Sequence, residues 1–184
     1  MTDTQAVTLN ALALYGLALL LAAAFAAQLL LHELPCPLCL LQRILFALLA
    51  IGPILNVRFG PRPSHYALSL LTAVLGASVS TRQVLLHILP GDAGYGSSLL
   101  GYHYYTWALI AFIAAIVLLA AMLLFDRQFD HRTALGAAAG KFAQGAVWLV
   151  VGLTALNVLS TLLECGFAAC ADNPTVYELL KRAA

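Results

Sequence analysis

Two close pairs of cysteines carry the chemistry this sequence can offer: Cys36-Pro37-Leu38-Cys39, and Cys165 with Cys170 near the C-terminus. Paired thiols exchange disulfides, moving two electrons at a time through mixed disulfides, and as thiolates they can also ligate a metal. Pro37 suits the first position of a helix, where its missing N–H costs nothing, so Cys36 is expected at the N-cap and Cys39 in the first turn. The partial positive charge of a helix N-terminus favours a thiolate, the attacking and leaving form of sulfur. Arg43 follows Cys39 by four residues and so lies on the same helix face.

Arg43 would sit about six residues, or roughly 9 Å, inside that helix. A charge at mid-membrane costs about 2.5–3.5 kcal/mol on insertion scales, so it marks a partner or a pathway unless the guanidinium snorkels to the headgroups. One turn from a C-x-x-C, the functional reading is preferred. Arg82, eight residues before Pro90, poses the same choice. Four residues separate Cys165 from Cys170, with Gly166 easing the turn between them, and Asn173 or Thr175 with Glu178 can cap a short amphipathic helix through Lys181. Taken alone this second pair reads as a structural staple; beside another dithiol it reads as redox-active. A tetrahedral metal site assisted by His32 or His103 is the other use of four thiols, but an oxidising compartment favours disulfides over zinc, and no metal site is expected. No Ser/His/Asp set, phosphate loop or carboxylate pair is present.

The elements that must position these residues follow from composition. Of 184 residues 62% are hydrophobic and 9% charged, against roughly 25% charged in a soluble domain, and the mean hydropathy is +0.93. Soluble globular, disordered and coiled-coil chains are excluded. A net charge of +1 offers nothing for nucleic acid to bind. Five runs approach the roughly 20 apolar residues that cross a bilayer: Val7 to Leu31, Pro37 to Val57, Ala67 to Leu89, Tyr104 to Phe125 and Phe142 to Leu163. The expected fold is an all-α integral membrane bundle of five helices forming a single domain over 1–184. The first run is too long, and its N-terminal flank too free of Lys and Arg, for a signal peptide. Ala- and Gly-rich stretches in the first, fourth and fifth segments, including Gly136 to Gly140, favour close helix packing.

Arg58, Arg62, Arg127, Arg132 and Lys141 fall in the loops after segments two and four, whereas the opposite side carries only Lys181 and Arg182. Positive loops stay in the cytoplasm. The N-terminus is then cytoplasmic, and the C-terminus and all four cysteines face outward, in a bacterium the periplasm, where disulfides persist. Tyr102, Tyr104, Tyr105 and Trp107 are read as an interfacial anchoring belt.

The stretch Cys36-Pro37-Leu38-Cys39-Leu40-Leu41-Gln42-Arg43 resembles the bacterial disulfide bond formation protein B (DsbB) family, and Arg82 to Pro90 is similar to the stretch that ends its third helix. The resemblance spans about the first 125 residues, a four-helix core, leaving 142–184 as a fifth helix and tail. It implies a membrane enzyme of the inner membrane that reoxidises a periplasmic DsbA-like thiol oxidase at the expense of ubiquinone or menaquinone. By residue, it implies that Cys39 contacts the quinone, that Cys36 is its disulfide partner and that Arg43 stabilises the reduced or charge-transfer quinone, with Gln42, Gln83 and His87 as candidate pocket residues. Cys165 and Cys170 would receive electrons from the partner. The sequence departs from the best-known members, whose second cysteine pair lies between helices three and four: here Gly91 to His103 holds none, and the fifth helix returns the pair to the same face. Two alternatives stand beside this reading, a vitamin K epoxide reductase-like oxidoreductase, whose C-x-x-C lies late in the bundle, and a non-enzymatic membrane metal-binding protein.

Overall fold

A computed structural model of the chain describes residues 2–129 and 140–183. His131, Arg132 and the small residues 136–139 lie outside the described part. The protein is an all-α integral membrane bundle. Among the described residues five helical segments are long and apolar enough to cross a bilayer: Thr4–Leu30, Pro37–Phe59, Pro63–Leu86, Tyr104–Leu123 and Lys141–Cys165. They correspond to helices α1 (Asp3–Leu30), α2 with α3 (Pro37–Leu49 and Ile51–Phe59), α4 (Pro63–Leu86), α5 (Tyr104–Leu123) and α6 (Lys141–Cys165), followed by a short α7 (Glu178–Ala183). The third segment begins earlier than the apolar run suggests, because Pro63 starts the helix, and it ends at Leu86 rather than Leu89.

The second segment is two helices, which hydropathy could not reveal. Pro53 has no N–H for the carbonyl four residues back, that of Leu49, and the helix breaks at Ala50. Ser69 Oγ of α4 donates to the freed Leu49 carbonyl at 2.8 Å, so no backbone acceptor is stranded at membrane depth. Gly52 makes this possible: a Cβ there would collide with Ser69 Oγ and the His65 carbonyl. Gly76 plays the same part between α4 and α5, where the Phe112 ring covers it and stacks on Phe46 of α2 at 4.1 Å. α4 thus packs on α5 and α2, while α1 packs on α6 and α3.

Alternation of the spans puts the start of α2, the ends of α1, α4 and α6 and the start of α5 at one end, the cysteine end. The other end carries Arg58 and Arg62 and is called the basic end. At the cysteine end the loop between α4 and α5 folds a small antiparallel hairpin, β1 (Ser98–Leu99) with β2 (Tyr102–His103), in the register Ser98↔His103 and Leu99↔Tyr102. Leu100 and Gly101 at its tip have φ of 54° and 83°, as a two-residue turn with both central residues left-handed requires.

Candidate functional site

The site grows from the N-terminus of α2. Cys36 is the N-cap, its Sγ accepts the Cys39 N–H at 3.2 Å, and Pro37 occupies the first turn. Cys36 and Cys39 form a disulfide with Cα atoms 5.0 Å apart. Gln83 of α4 is buried beneath it, and its Nε2 lies 3.3 Å from each sulfur. Gln42 holds Gln83 in that orientation, donating from Nε2 to Gln83 Oε1 at 2.9 Å.

Arg43, on the next turn, points into the bundle and not toward the headgroups. Its guanidinium donates to Gln28 Oε1 at 2.6 Å and to the Ala24 carbonyl at 2.8 Å, both on α1. Gln28 passes the connection on, its amide nitrogen donating to Ser160 Oγ of α6 at 2.8 Å and to Tyr177 Oη ahead of α7 at 3.0 Å. One polar chain therefore joins the turn after the first cysteine pair to the helix that carries the second. Cys165 and Cys170 form the second disulfide, with Cα atoms 4.7 Å apart. Cys165 ends α6 and is buried, Cys170 is half-buried, and Gly166 between them takes a φ of 64° to close the helix.

Two cavities meet at Arg43. The first, of about 340 Å³, lies between α1, α2, α5 and the loop between α4 and α5, called the outer loop because it covers the cysteine end; its walls are mostly apolar, and Cys39, Gln42 and Arg43, with Gln28 and Glu33, supply its polar end. The second, of about 650 Å³, runs between α2, α3 and α6, with Arg43 on one wall and Cys165 and Cys170 at its outer end. The outer loop closes over the first. Tyr95 Oη donates to the Leu34 carbonyl at 2.7 Å, and the Glu33 carboxylate accepts the Ser97 N–H at 3.1 Å and the Ser97 hydroxyl. Burial first, then the charges of Glu164 and Glu33, push the Tyr95 phenol above its ordinary value, so it stays protonated and keeps donating.

The sequence-derived candidates separate here. Cys39, Gln42 and Arg43 line the first cavity together. Gln83 instead contacts the disulfide from behind. His87 lies outside the cavity, paired with Asp92 at 3.1 Å and stacked on Tyr105 with ring centroids 5.5 Å apart: α4 has ended at Leu86, so the residue no longer follows the helix face that carries Gln83. Arg82 is exposed on the outside of α4, near its end, where a guanidinium can reach the headgroups. Of the four aromatics read as an anchoring belt, Tyr104, Tyr105 and Trp107 form part of the cavity wall, and the Trp107 indole N–H donates to the Leu99 carbonyl at 2.9 Å. Among the described residues no cluster of three or more His, Cys, Asp or Glu is arranged to hold a metal.

Sequence reasoning missed Gln28 and Glu164. Gln28 is the lone amide in the outer half of α1, a polar residue where lipid-facing chemistry has no use for one. Glu164 lies within the last turn of α6 and is 2% exposed, yet neither carboxylate oxygen has a hydrogen-bond partner.

A helical membrane bundle with a disulfide capping one of its helices, beside an apolar cavity and a half-buried arginine, belongs among membrane proteins of thiol–disulfide chemistry. The family model described as Disulfide bond formation protein DsbB matches residues 6–97, half of the chain, and the protein belongs to that family. Its similar relatives include Disulfide bond formation protein B of Xanthomonas axonopodis pv. citri (strain 306), 41% identical over 78 residues that make up 40% of this chain and 45% of the relative. Disulfide bond formation protein B 2 of Burkholderia lata is 41% identical over 73 residues, 39% and 44% of the two chains. That of Azoarcus sp. (strain BH72) is 37% identical over 62 residues, 32% and 37% of the two. The aligned part is thus less than half the length of these relatives. No solved structure matches. The family match holds Cys36, Cys39, Gln42, Arg43, Gln83 and His87 and stops before α5, short of the 125 residues expected from the resemblance, while α6 and its cysteine pair lie beyond it.

Proposed function

We propose that the protein is a thiol:quinone oxidoreductase of the bacterial inner membrane, with its N-terminus cytoplasmic and its cysteine end periplasmic, that reoxidises a soluble DsbA-like dithiol oxidase. The first four membrane segments form the quinone-binding core, and the fifth delivers the dithiol that meets the partner. The observation that carries this reading is the grouping of Cys39, Gln42 and Arg43 at the polar end of one apolar cavity. Its size falls within the roughly 300–1,000 Å³ of small-molecule sites. A lipid-soluble ring fits such walls, and its oxygens fit the donors: two of the five guanidinium N–H groups are used by Gln28 and Ala24, which leaves others for a ligand. When bound, a quinone supplies an acceptor for two electrons and two protons.

The chain's own residues do the rest. A thiolate of the partner attacks Cys170, the more exposed residue of its pair; the partner leaves oxidised and Cys165 and Cys170 are left as thiols. Exchange with Cys36–Cys39 then reforms the C-terminal disulfide and reduces the N-terminal pair. The Cys39 N–H directed at Cys36 Sγ and the Gln83 amide directed at both sulfurs hold the charge that appears when that bond opens. Arg43, anchored on α1, keeps a fixed positive charge beside Cys39 at the cavity's polar end. A vitamin K epoxide reductase-like activity would share this chemistry, but the C-x-x-C here opens the second segment and not a late one.

The test is direct: purified protein, ubiquinone or menaquinone, and a reduced thioredoxin-like dithiol protein, with quinone absorbance followed in time. Cys39→Ser is expected to abolish catalytic quinone loss, and turnover surviving that change refutes the site. Labelling with a membrane-impermeant thiol reagent after reduction, in intact cells, is expected to reach Cys170; a Cys170 reached only in inverted vesicles refutes the orientation.

A further inference from the structure

Passing electrons from the C-terminal pair to Cys36–Cys39 requires a proton to leave a buried thiol, since the thiolate is the nucleophile. Something must receive it. Among the described residues the buried side-chain oxygens without a hydrogen-bond partner are Ser80 Oγ, Asn157 Oδ1 and the two carboxylate oxygens of Glu164. A hydroxyl and an amide do not take up protons in this pH range; a carboxylate does. Glu33, also at the cysteine end, is committed on both oxygens to Ser97, and Glu178 belongs to the short α7 at the surface. Orphaned carboxyl oxygens in an interior are costly and call for an explanation, and Glu164 directly precedes Cys165 at the end of α6.

We propose that Glu164 receives the proton of the Cys165 thiol as that sulfur attacks the Cys36–Cys39 disulfide, and returns it to the reduced N-terminal pair. This rests on the relay set out above. In the balanced step the Cys165 S–H proton goes to the Glu164 carboxylate, a bond forms between Cys165 and one sulfur of the N-terminal pair, and the Cys36–Cys39 bond breaks to leave a thiolate. Cys170 then attacks Cys165, closing the C-terminal disulfide and releasing the second thiolate. The two protons carried by the C-terminal thiols end on Cys36 and Cys39, one of them by way of Glu164. No outside oxidant is consumed.

The surroundings suit a transient proton carrier. Arg43 of α2 is near enough for its charge and that of Glu164 to act on one another, yet its guanidinium is held by neutral acceptors on α1. The carboxylate is steadied without being locked into an ion pair. The other titratable groups facing it are Tyr95 of the outer loop, Cys165 itself, and Glu178 of α7 on the small cavity that Glu164 and Cys165 also line, while Tyr177 ahead of α7 bonds to Gln28, the residue that holds Arg43.

The experiment compares Glu164→Gln and Glu164→Asp with the unaltered full-length protein in dithiol-to-quinone turnover across pH. A proton acceptor of this kind contributes about 10²-fold or more, so E164Q is expected to be slowed about 10²-fold near neutrality. Its deficit should shrink as the pH rises above about 8.5, the ordinary value of a free thiol, toward the higher one of a buried thiol that ionises unaided. E164D should recover part of the rate with the unaltered pH profile. A full rate in E164Q, or the same deficit at every pH, overturns the proposal, the second because it describes a structural part. Should E164Q fail to fold, infrared difference spectra of the unaltered protein decide. With ¹³C-labelled glutamate and no quinone present, time-resolved spectra after mixing with dithiothreitol are expected to show a glutamate carboxyl band that appears and decays with the exchange, and spectra without it overturn the proposal. An unaltered protein that moves no electrons to quinone overturns the functional reading instead.

Discussion

The two ends of the bundle solve the same problem in opposite ways. At the basic end Asn10, Asn56, Tyr66 and Gln128 are all buried and close a network on themselves. Asn10 Nδ2 donates to the Ala6 carbonyl and Tyr66 Oη, both at 2.8 Å. Asn56 Nδ2 donates to Asn10 Oδ1 at 3.0 Å, and Tyr66 donates to Gln128 Oε1 at 2.9 Å. Asn56 Oδ1 also accepts the Arg62 N–H and faces His65 Nδ1. Every member is satisfied, and four segments of the chain are pinned together. At the cysteine end the network is charged, built round two disulfides, bordered by two cavities, and left with an unpartnered carboxylate. A closed neutral network specifies a packing; an open charged one costs stability and is kept for what it does.

Substitutions at the two ends should therefore separate rate from stability. Of Arg43→Ala, Asn10→Ala and Gln28→Leu, the first is expected to have the largest effect: the apparent KM for quinone rises at least tenfold, corresponding to a lost charge-assisted interaction of about 1.5–3 kcal/mol, while both disulfides still form by mass mapping. An unchanged KM in folded protein would remove Arg43 from the pocket and dissolve the contrast. Asn10→Ala, at the other end, strands Asn56 Nδ2 and a partner of Tyr66. It is expected to cost about 1–3 kcal/mol in reversible detergent unfolding with turnover per folded molecule unaltered. A fall in turnover without a fall in stability would make the basic end functional too.

Gln28→Leu sharpens the comparison from within the cysteine end. It cuts Arg43 from Ser160 and Tyr177 while leaving every sulfur in place, and is expected to slow electron transfer between the two cysteine pairs several-fold, read by rapid alkylation after mixing with a reduced dithiol. Equal rates would mean that the chain of hydrogen bonds is scaffolding alone.

The five spans were legible because lipid imposes one requirement, an apolar run long enough to cross, and composition states it openly. The N-cap position of Cys36 was legible because Pro37 leaves little choice about where the helix starts, and the inward course of Arg43 because a charge so far from the helix end needs a partner. What hydropathy could not convey was anything decided by neighbours. The break at Ala50 depends on Ser69 being present to take over the Leu49 carbonyl. Gln83 and His87 lie four apart and read as one face, yet the helix ends between them, so one reaches the disulfide and the other a surface loop. Glu164 falls one residue past the last apolar run and drew no reading; only the packing of its neighbours in the folded bundle makes it an interior carboxylate.

The smallest effect tests where the open end of the comparison stops. Asp92, in the outer loop, accepts the Gly94 N–H at 2.7 Å and pairs with His87 Nδ1 at 3.1 Å. The Gly94 hydrogen bond first, and then that to His87, hold its carboxyl below the ordinary value, which is roughly 3.9. A depressed carboxyl contributes its stabilisation in full above that ordinary value and loses it as the pH falls through the folded one. Asp92 lies in an exposed loop, so only the local turn at Gly91 to Gly94 should respond. In NMR the Asp92 carboxyl is expected to titrate below roughly 3.9, with the Gly94 amide shifting at the same midpoint, and Asp92→Asn should abolish the Gly94 response while leaving quinone turnover near neutrality untouched. A turnover that fell with that loop would extend the functional end outward from the cavity to the hairpin's base.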